Sequence, residues 1–221
     1  MTENVNKNVI KIDDIKRALQ SGDTGKTILL SQQALGQILN NQDNIQEKVE
    51  VLYLLAVAQR TKGQISDATD TVNTLIATDP NHARAHQENG YLWLSVGNTL
   101  NAATAFARAT RLNPALLSSW QKLASLYLEL NHTEGQKFAL QRAEYLTQLP
   151  AEVRGARDLM YEGKLAVADT VCRRFLQKHK HNVEAMLLLA EVGIKLKLYH
   201  KAEFLLESCV EIYPTHQAAR A

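Results

Sequence analysis

An all-α protein of stacked helix pairs is what this sequence predicts, and its evenly spaced prolines and small residues predict it. Pro80, Pro114 and Pro214 each close a block with a small residue 24 positions earlier, at Ala56, Gly90 and Ala190. A second small residue lies 12 positions before each proline, at Ala68, Ala102 and Ala202. Pro80 to Pro114 is one 34-residue period, and two further blocks fall between Pro114 and Pro214. That period, with a small residue fixed in each half, is the signature of stacked helix-turn-helix units. Such a stack is a quasi-linear array in which each unit buries its apolar stripe on its neighbours.

The elements follow when each unit is numbered so that its proline is position 32. Residues 9–21 and 27–39 read as a helix pair through Ile12, Ile15 and Leu19, then Ile28, Leu35 and Ile38. Residues 1–48 are thus expected to be a degenerate pair that caps the array, with a longer loop at Asn40–Gln46. Residues 49–216 hold five units. The first runs from Val49, with Leu52, Leu55, Ala56 and Gln59 on one helix and Ala68, Val72 and Leu75 on the other. The second starts at Ala83, with His86, Gly90 and Trp93, then Ala102, Phe106 and Ala109. The third starts at Leu117, with Trp120, Leu123, Ala124 and Tyr127, then Leu140 and Ala143. The fourth, shortened at its junction, starts at Leu149 and carries Ala156, Leu159, Ala168 and Cys172. The fifth starts at Val183, with Met186, Leu189, Ala190, Ala202, Leu206 and Cys209. Residues 217–221 are expected to begin a further helix.

Apolar residues three and four apart make one stripe of a helix. Small residues at positions 8 and 20 let paired helices approach closely. Gly63, Gly97 and Gly163 at position 15 suit a left-handed cap, and Asn131 tolerates the same conformation. Lys197 at that position, and Gln136 at position 20, make the third and fifth units the less ideal ones.

The whole-chain chemistry excludes several functions. With 25 basic and 23 acidic residues, the net charge of +2 gives no footprint for nucleic acid. Aromatics at 6% offer no stacking platform for single strands. No apolar run reaches the ~20 residues of a membrane span. The polar start, MTENVNKNVIKIDD, lacks a signal-peptide core, so the expected compartment is the cytoplasm. Cys172 and Cys209 fall on packing positions and read as small buried fillers.

Candidate chemistry is sparse. Gly22-Asp-Thr-Gly-Lys-Thr27 lacks the first glycine of a phosphate loop, since position 20 is Gln, and it follows a helix rather than a strand. It reads as a turn. His82 and His86 have metal-ligand spacing, but no third ligand is evident and His86 holds a packing position. No nucleophile with its base, and no carboxylate pair, is evident. The chain reads as a non-enzyme that needs no cofactor or metal.

These repeat residues resemble the tetratricopeptide repeat, most specifically over residues 49–114. The resemblance implies an α-solenoid, a right-handed superhelix of about six antiparallel helix pairs, and a concave groove that takes a protein or peptide. Groove positions on the first helices then give Tyr53, Arg60, Arg84, Gln87, Tyr91, Arg157 and Tyr161, with Lys122 and Arg154 beside them. Tyrosine and arginine dominate recognition surfaces, and Arg84, Lys122, Arg154 and Arg157 predict a basic bias. The family's clamp for a chaperone's acidic tail needs Lys and Asn where this chain has Tyr53 and Val57, or Gln87 and Tyr91, which disfavours that partner.

Residues 201–212, KAEFLLESCVEI, are broadly apolar for a terminal helix. Either more chain covers them or two copies pair there as a homodimer, with Phe204 and Leu205 the expected contacts. Leu149-Pro-Ala-Glu-Val-Arg154, Cys172-Arg-Arg-Phe-Leu176 and Ala202-Glu-Phe-Leu-Leu-Glu207 are similar to the amino-terminal arrays of bacterial tetratricopeptide repeat-containing sulfotransferases. That likeness implies an alternative role as a positioning arm of a larger enzyme.

Overall fold

The computed structural model describes residues 10–38 and 44–212. Among them are twelve α-helices and no strand. The chain divides into two compact units, Met1–Ala109 and Thr110–Ala221. The first holds α1 (Ile12–Gln20), α2 (Thr24–Ile38), α3 (Ile45–Thr61), α4 (Ile65–Thr78), α5 (Ala83–Ser95) and most of α6 (Thr99–Leu112). The second holds α7 (Leu117–Glu129), α8 (Thr133–Gln148), α9 (Ala151–Tyr161), α10 (Leu165–Lys178), α11 (Val183–Lys195) and α12 (Tyr199–Ile212). The expected further helix at 217–221 lies outside the described residues.

Each hairpin is closed by one turn design. Gly22, Gly63, Gly97 and Gly163 take φ of 78°, 83°, 71° and 76°, and Asn131 and Lys197 take 56° and 61°. The following residue then donates its N–H five residues back, as in Gln64 to Gln59 at 2.9 Å, His132 to Tyr127 at 2.8 Å and Leu198 to Gly193 at 2.8 Å. This pairing satisfies carbonyls that a helix end leaves open. The same bond, Asp23 to Ala18 at 3.0 Å, closes the α1–α2 hairpin. Lys197 therefore fills the left-handed position despite its Cβ, a strained choice that costs about 1–2 kcal/mol.

Helix packing within each unit follows the small residues. In the first, α1 meets both α2 and α3, and α3 meets both α4 and α5. Ile15, Ala34, Val51 and Leu54 form one core cluster there. Ala56, Ala68, Val72 and Leu92 form another, which joins α4 to the first helix of the next pair. Gly90 lies against Phe106: a Cβ on it would stand 2.8 Å from the ring. In the second, Val153, Ala156, Ala168, Cys172, Leu188, Leu189 and Val192 make a core across α9, α10 and α11. Cys172 and Cys209 are buried free thiols. Burial, helped by Asp169, pushes the Cys172 thiol up to about 11, and burial raises Cys209 as well. Both are held in the unreactive thiol form.

Two boundaries and the burial of one helix differ from the sequence reading. Helix α2 starts at Thr24, because Asp23 Oδ1 accepts the N–H of Lys26 at 2.9 Å. The turn is thus Gly22-Asp23, and Thr24–Thr27 is helical. Helix α3 starts at Ile45, inside the expected loop, because Asn44 caps it: its Oδ1 accepts the Glu47 N–H at 3.3 Å, and its Nδ2 donates to the Glu47 carboxylate. The third difference is in the outer face of α8. Its buried residues are Ala139, Ala143 and Leu146, while Leu140, expected inside, is 51% exposed. Ala143 keeps position 27 inside, as Leu75 and Ala109 do, so the register holds and the exposed face is the position-24 row. Gly135 is fixed by its own helix cap: it donates its N–H to His132 Nδ1, and a Cβ on it would stand 2.5 Å from that atom and 2.9 Å from the Tyr127 ring.

Candidate functional site

On the first helices of the leading unit, the side chains are braced by one another. Arg60, late in α3, grips Glu88 of α5 through Nε, and its Nη2 lies 3.4 Å from the second carboxylate oxygen. The Glu88 side chain is only 5% exposed, so this is a largely buried pair. The Arg60 guanidinium also lies 4.9 Å over the Tyr91 ring, a cation–π contact. Tyr91 in turn meets Phe106 edge-on at 5.1 Å. Tyr53 packs on the His82 ring at 5.6 Å. Gln87 is buried and Arg84 half-buried.

The second unit repeats this chemistry with other residues. Arg157 of α9 lies 3.4 Å from Glu184 of α11, and the Tyr145 hydroxyl donates to the same carboxylate at 2.7 Å. Burial, then the Glu184 hydrogen bond, pushes the Tyr145 phenol up to about 12. Tyr161, 37% exposed, is raised by burial first and by Glu191 second, with Arg157 and Arg142 opposing. Arg142 stacks over the Tyr145 ring at 5.3 Å. Arg154 donates to the Leu146 carbonyl at 3.1 Å, and Lys122 is exposed.

The expected basic bias is reduced at Arg157, one of its four members, and the neighbouring candidate Arg60 is paired in the same way, both by acids that the sequence reading did not place. Arg60 meets Glu88 and Arg157 meets Glu184, separated by 28 and 27 residues.

The remaining candidates have structural partners. His82 caps α5 by accepting from Ala85 N–H at 3.1 Å, and His86 Nε2 lies 3.0 Å from the Pro80 carbonyl. Trp120 holds the equivalent position and donates to the Pro114 carbonyl at 2.9 Å. Position 4 thus ties a ring nitrogen to the proline of the preceding turn in both places. Among the described residues, no three His, Cys, Asp or Glu side chains cluster as metal ligands. No described helix is long and apolar enough to cross a membrane.

Helix pairs closed by a shared left-handed turn, with small residues at the crossings, define an α-solenoid repeat protein. Residues 53–116 and 183–216 match models of the tetratricopeptide repeat, and the chain carries tetratricopeptide repeats. Helices α1, α2 and α7 to α10 lie outside the two matched stretches. No curated protein matches the chain. Among solved structures, pilF of Pseudomonas aeruginosa is similar, with a TM-score of 0.53 and 17% identity over 95% of this chain and 93% of that one. A tetratricopeptide repeat protein from Parabacteroides merdae has a TM-score of 0.52 and 13% identity, covering 89% of this chain and 76% of its own. Naa15/Naa10 bound to HypK-THB has a TM-score of 0.50 and 14% identity, covering 94% of this chain and 37% of that one. At such identities the likeness is one of fold.

Proposed function

We propose that the chain is a non-catalytic scaffold that binds a protein or peptide partner along the inner faces of its first helices. The observation that carries this reading is the bracing of cationic and aromatic side chains in both units. Arg60 is held by Glu88 and stacked on Tyr91, and Arg157 is held by Glu184 beside Tyr161. Side chains fixed before a partner arrives lose little rotamer entropy on binding, so more of the contact energy becomes affinity. Tyrosine supplies area and a hydroxyl, and arginine supplies directed donors, as recognition hot spots require. The neighbouring carboxylates make the surface mixed in charge. It suits a peptide with both an apolar side chain and exposed backbone carbonyls better than a purely acidic tail.

A peptide selected from a random library against the full chain tests this. Tyr161→Ala together with Lys122→Ala should weaken its binding about tenfold, equivalent to one hot-spot contact. Both side chains are exposed, so helicity should be unchanged. Equal affinity for variant and parent would remove the second unit's first helices from the binding surface.

A further inference from the structure

In the α3–α4 and α9–α10 pairs, positions 20, 24 and 28 of the second helix face the next unit's first helix. Ala68 and Val72 of α4 share a cluster with Leu92 of α5. Ala168 and Cys172 of α10 share one with Leu188, Leu189 and Val192 of α11. The corresponding row on α12 is Ala202, Leu206 and Val210. Ala202 is buried near Gly193, but Leu206 and Val210 line an open groove with Ile194 and Tyr199, which are 47% and 60% exposed.

Beside this row the sequence breaks its own pattern. Positions 21, 25 and 29 are Thr69, Asn73 and Ala77 on α4, and Asp169, Arg173 and Gln177 on α10. On α12 they are Glu203, Glu207 and Glu211, all exposed and all on the edge of the groove. Like charges four apart destabilise a helix. The stripe is therefore a cost to the fold that a cationic partner would relieve. Among the described residues, His200 approaches it, with Nδ1 3.9 Å from Glu203.

We propose that α12 and the end of α11 form a second docking site, for an amphipathic helix of a partner protein that carries Lys or Arg beside its apolar stripe. The apolar stripe fills the groove between Ile194, Tyr199, Leu206 and Val210, and the cations meet Glu203, Glu207 and Glu211. A helix is the fitting shape because α4 and α10 seat a helix on the same row. Charge selects a basic one over a second copy of this chain, since two α12 faces would oppose their glutamate stripes. The dimer contacts expected from sequence also separate here: Leu205 packs into the core of α9 to α11, while Phe204 is 68% exposed and lies outside the groove lining.

The test uses the full chain and two labelled helical peptides, one of Leu and Lys and one of Leu and Glu, read by fluorescence anisotropy. The Leu/Lys peptide should bind and the Leu/Glu peptide should not. Leu206→Asp should weaken binding about tenfold, the loss expected of one anchoring contact. That variant adds a negative charge, so mere electrostatic attraction would tighten binding instead. The isosteric triple change of Glu203, Glu207 and Glu211 to Gln should weaken it similarly and flatten its salt dependence; it carries the test alone if circular dichroism shows Leu206→Asp to lose helicity. No binding of the Leu/Lys peptide, equal binding of both peptides, or tighter binding by Leu206→Asp would overturn the proposal. So would a dimeric parent in light scattering that Leu206→Asp or, where that variant loses helicity, the triple change turns into a monomer, because the occupant would then be a second copy.

Discussion

Replacing Gly90 by alanine sets two effects of known sign against each other. Alanine in a helix interior is favoured over glycine by about 1 kcal/mol. Against this, the new Cβ would stand 2.8–2.9 Å from three ring atoms of Phe106. The ring is fully buried and packs edge-on with Tyr91, so it cannot swing aside without disturbing a second aromatic. Overpacking of this kind costs about 1–3 kcal/mol, which leaves Gly90→Ala neutral to about 2 kcal/mol destabilising. Gly90→Leu adds further carbons to the same contact and should lie at or beyond the upper end of that range.

Gly155 is the control, because it sits inside α9 and nothing lies within 4 Å of the place a Cβ on it would take. Gly155→Ala should stabilise by about 0.5–1 kcal/mol. Urea unfolding followed by helical circular dichroism should place the two alanine variants on opposite sides of the parent, or Gly90→Ala level with it. In a Phe106→Leu background the clash is relieved, and Gly90→Ala should become favourable. A Gly90→Ala variant that gains as much as Gly155→Ala would refute the close approach of α5 and α6, and with it the repeat register.

Two further outcomes follow from single side chains. Lys197→Gly removes a Cβ from a residue at φ 61°; the relief of about 1–2 kcal/mol less glycine's entropic cost of about 0.5–1 kcal/mol should raise the unfolding midpoint slightly, and a lower midpoint would contradict it. Tyr145 should ionise late: its phenol is raised to about 12 in the fold, against about 10 in an unfolded chain. The stability this contributes is fully present below pH ~10 and is lost as pH rises toward ~12. Tyr145→Phe should therefore lose less stability than the parent across that window, and a tyrosinate absorbance titration should lose its late phase.

Much of the fold was legible because its determinants are local and recur. Gly63, Gly97, Gly163 and Asn131 mark the hairpin turns by type, and Lys197 was located by register alone. The starts of α2 and α3 were readable too, since Asp23 and the N-cap Asn44 are sequence signals that the repeat numbering overrode. The exposure of Leu140 was not. Ala143 is inside where the repeat numbering puts it, and only the packing around α8 decides that position 24 is left open.

The candidate surface was legible in residue type and not in pairing. Tyr91, Arg60 and Arg157 stand out by chemistry, but a periodic chain offers several acids at comparable separations from each arginine. Choosing Glu88 or Glu184 requires the side-chain geometry of adjacent first helices. Periodicity therefore identifies what the units share, and whatever distinguishes one unit from the next has to be sought where the period fails. It fails at α8, where Leu140 is exposed on the position-24 row. It fails again at α12, where three glutamates border an apolar row that α4 and α10 cover with a helix. Local rules broken at a cost to stability are where function is expected, and α12 breaks them with both charge and shape.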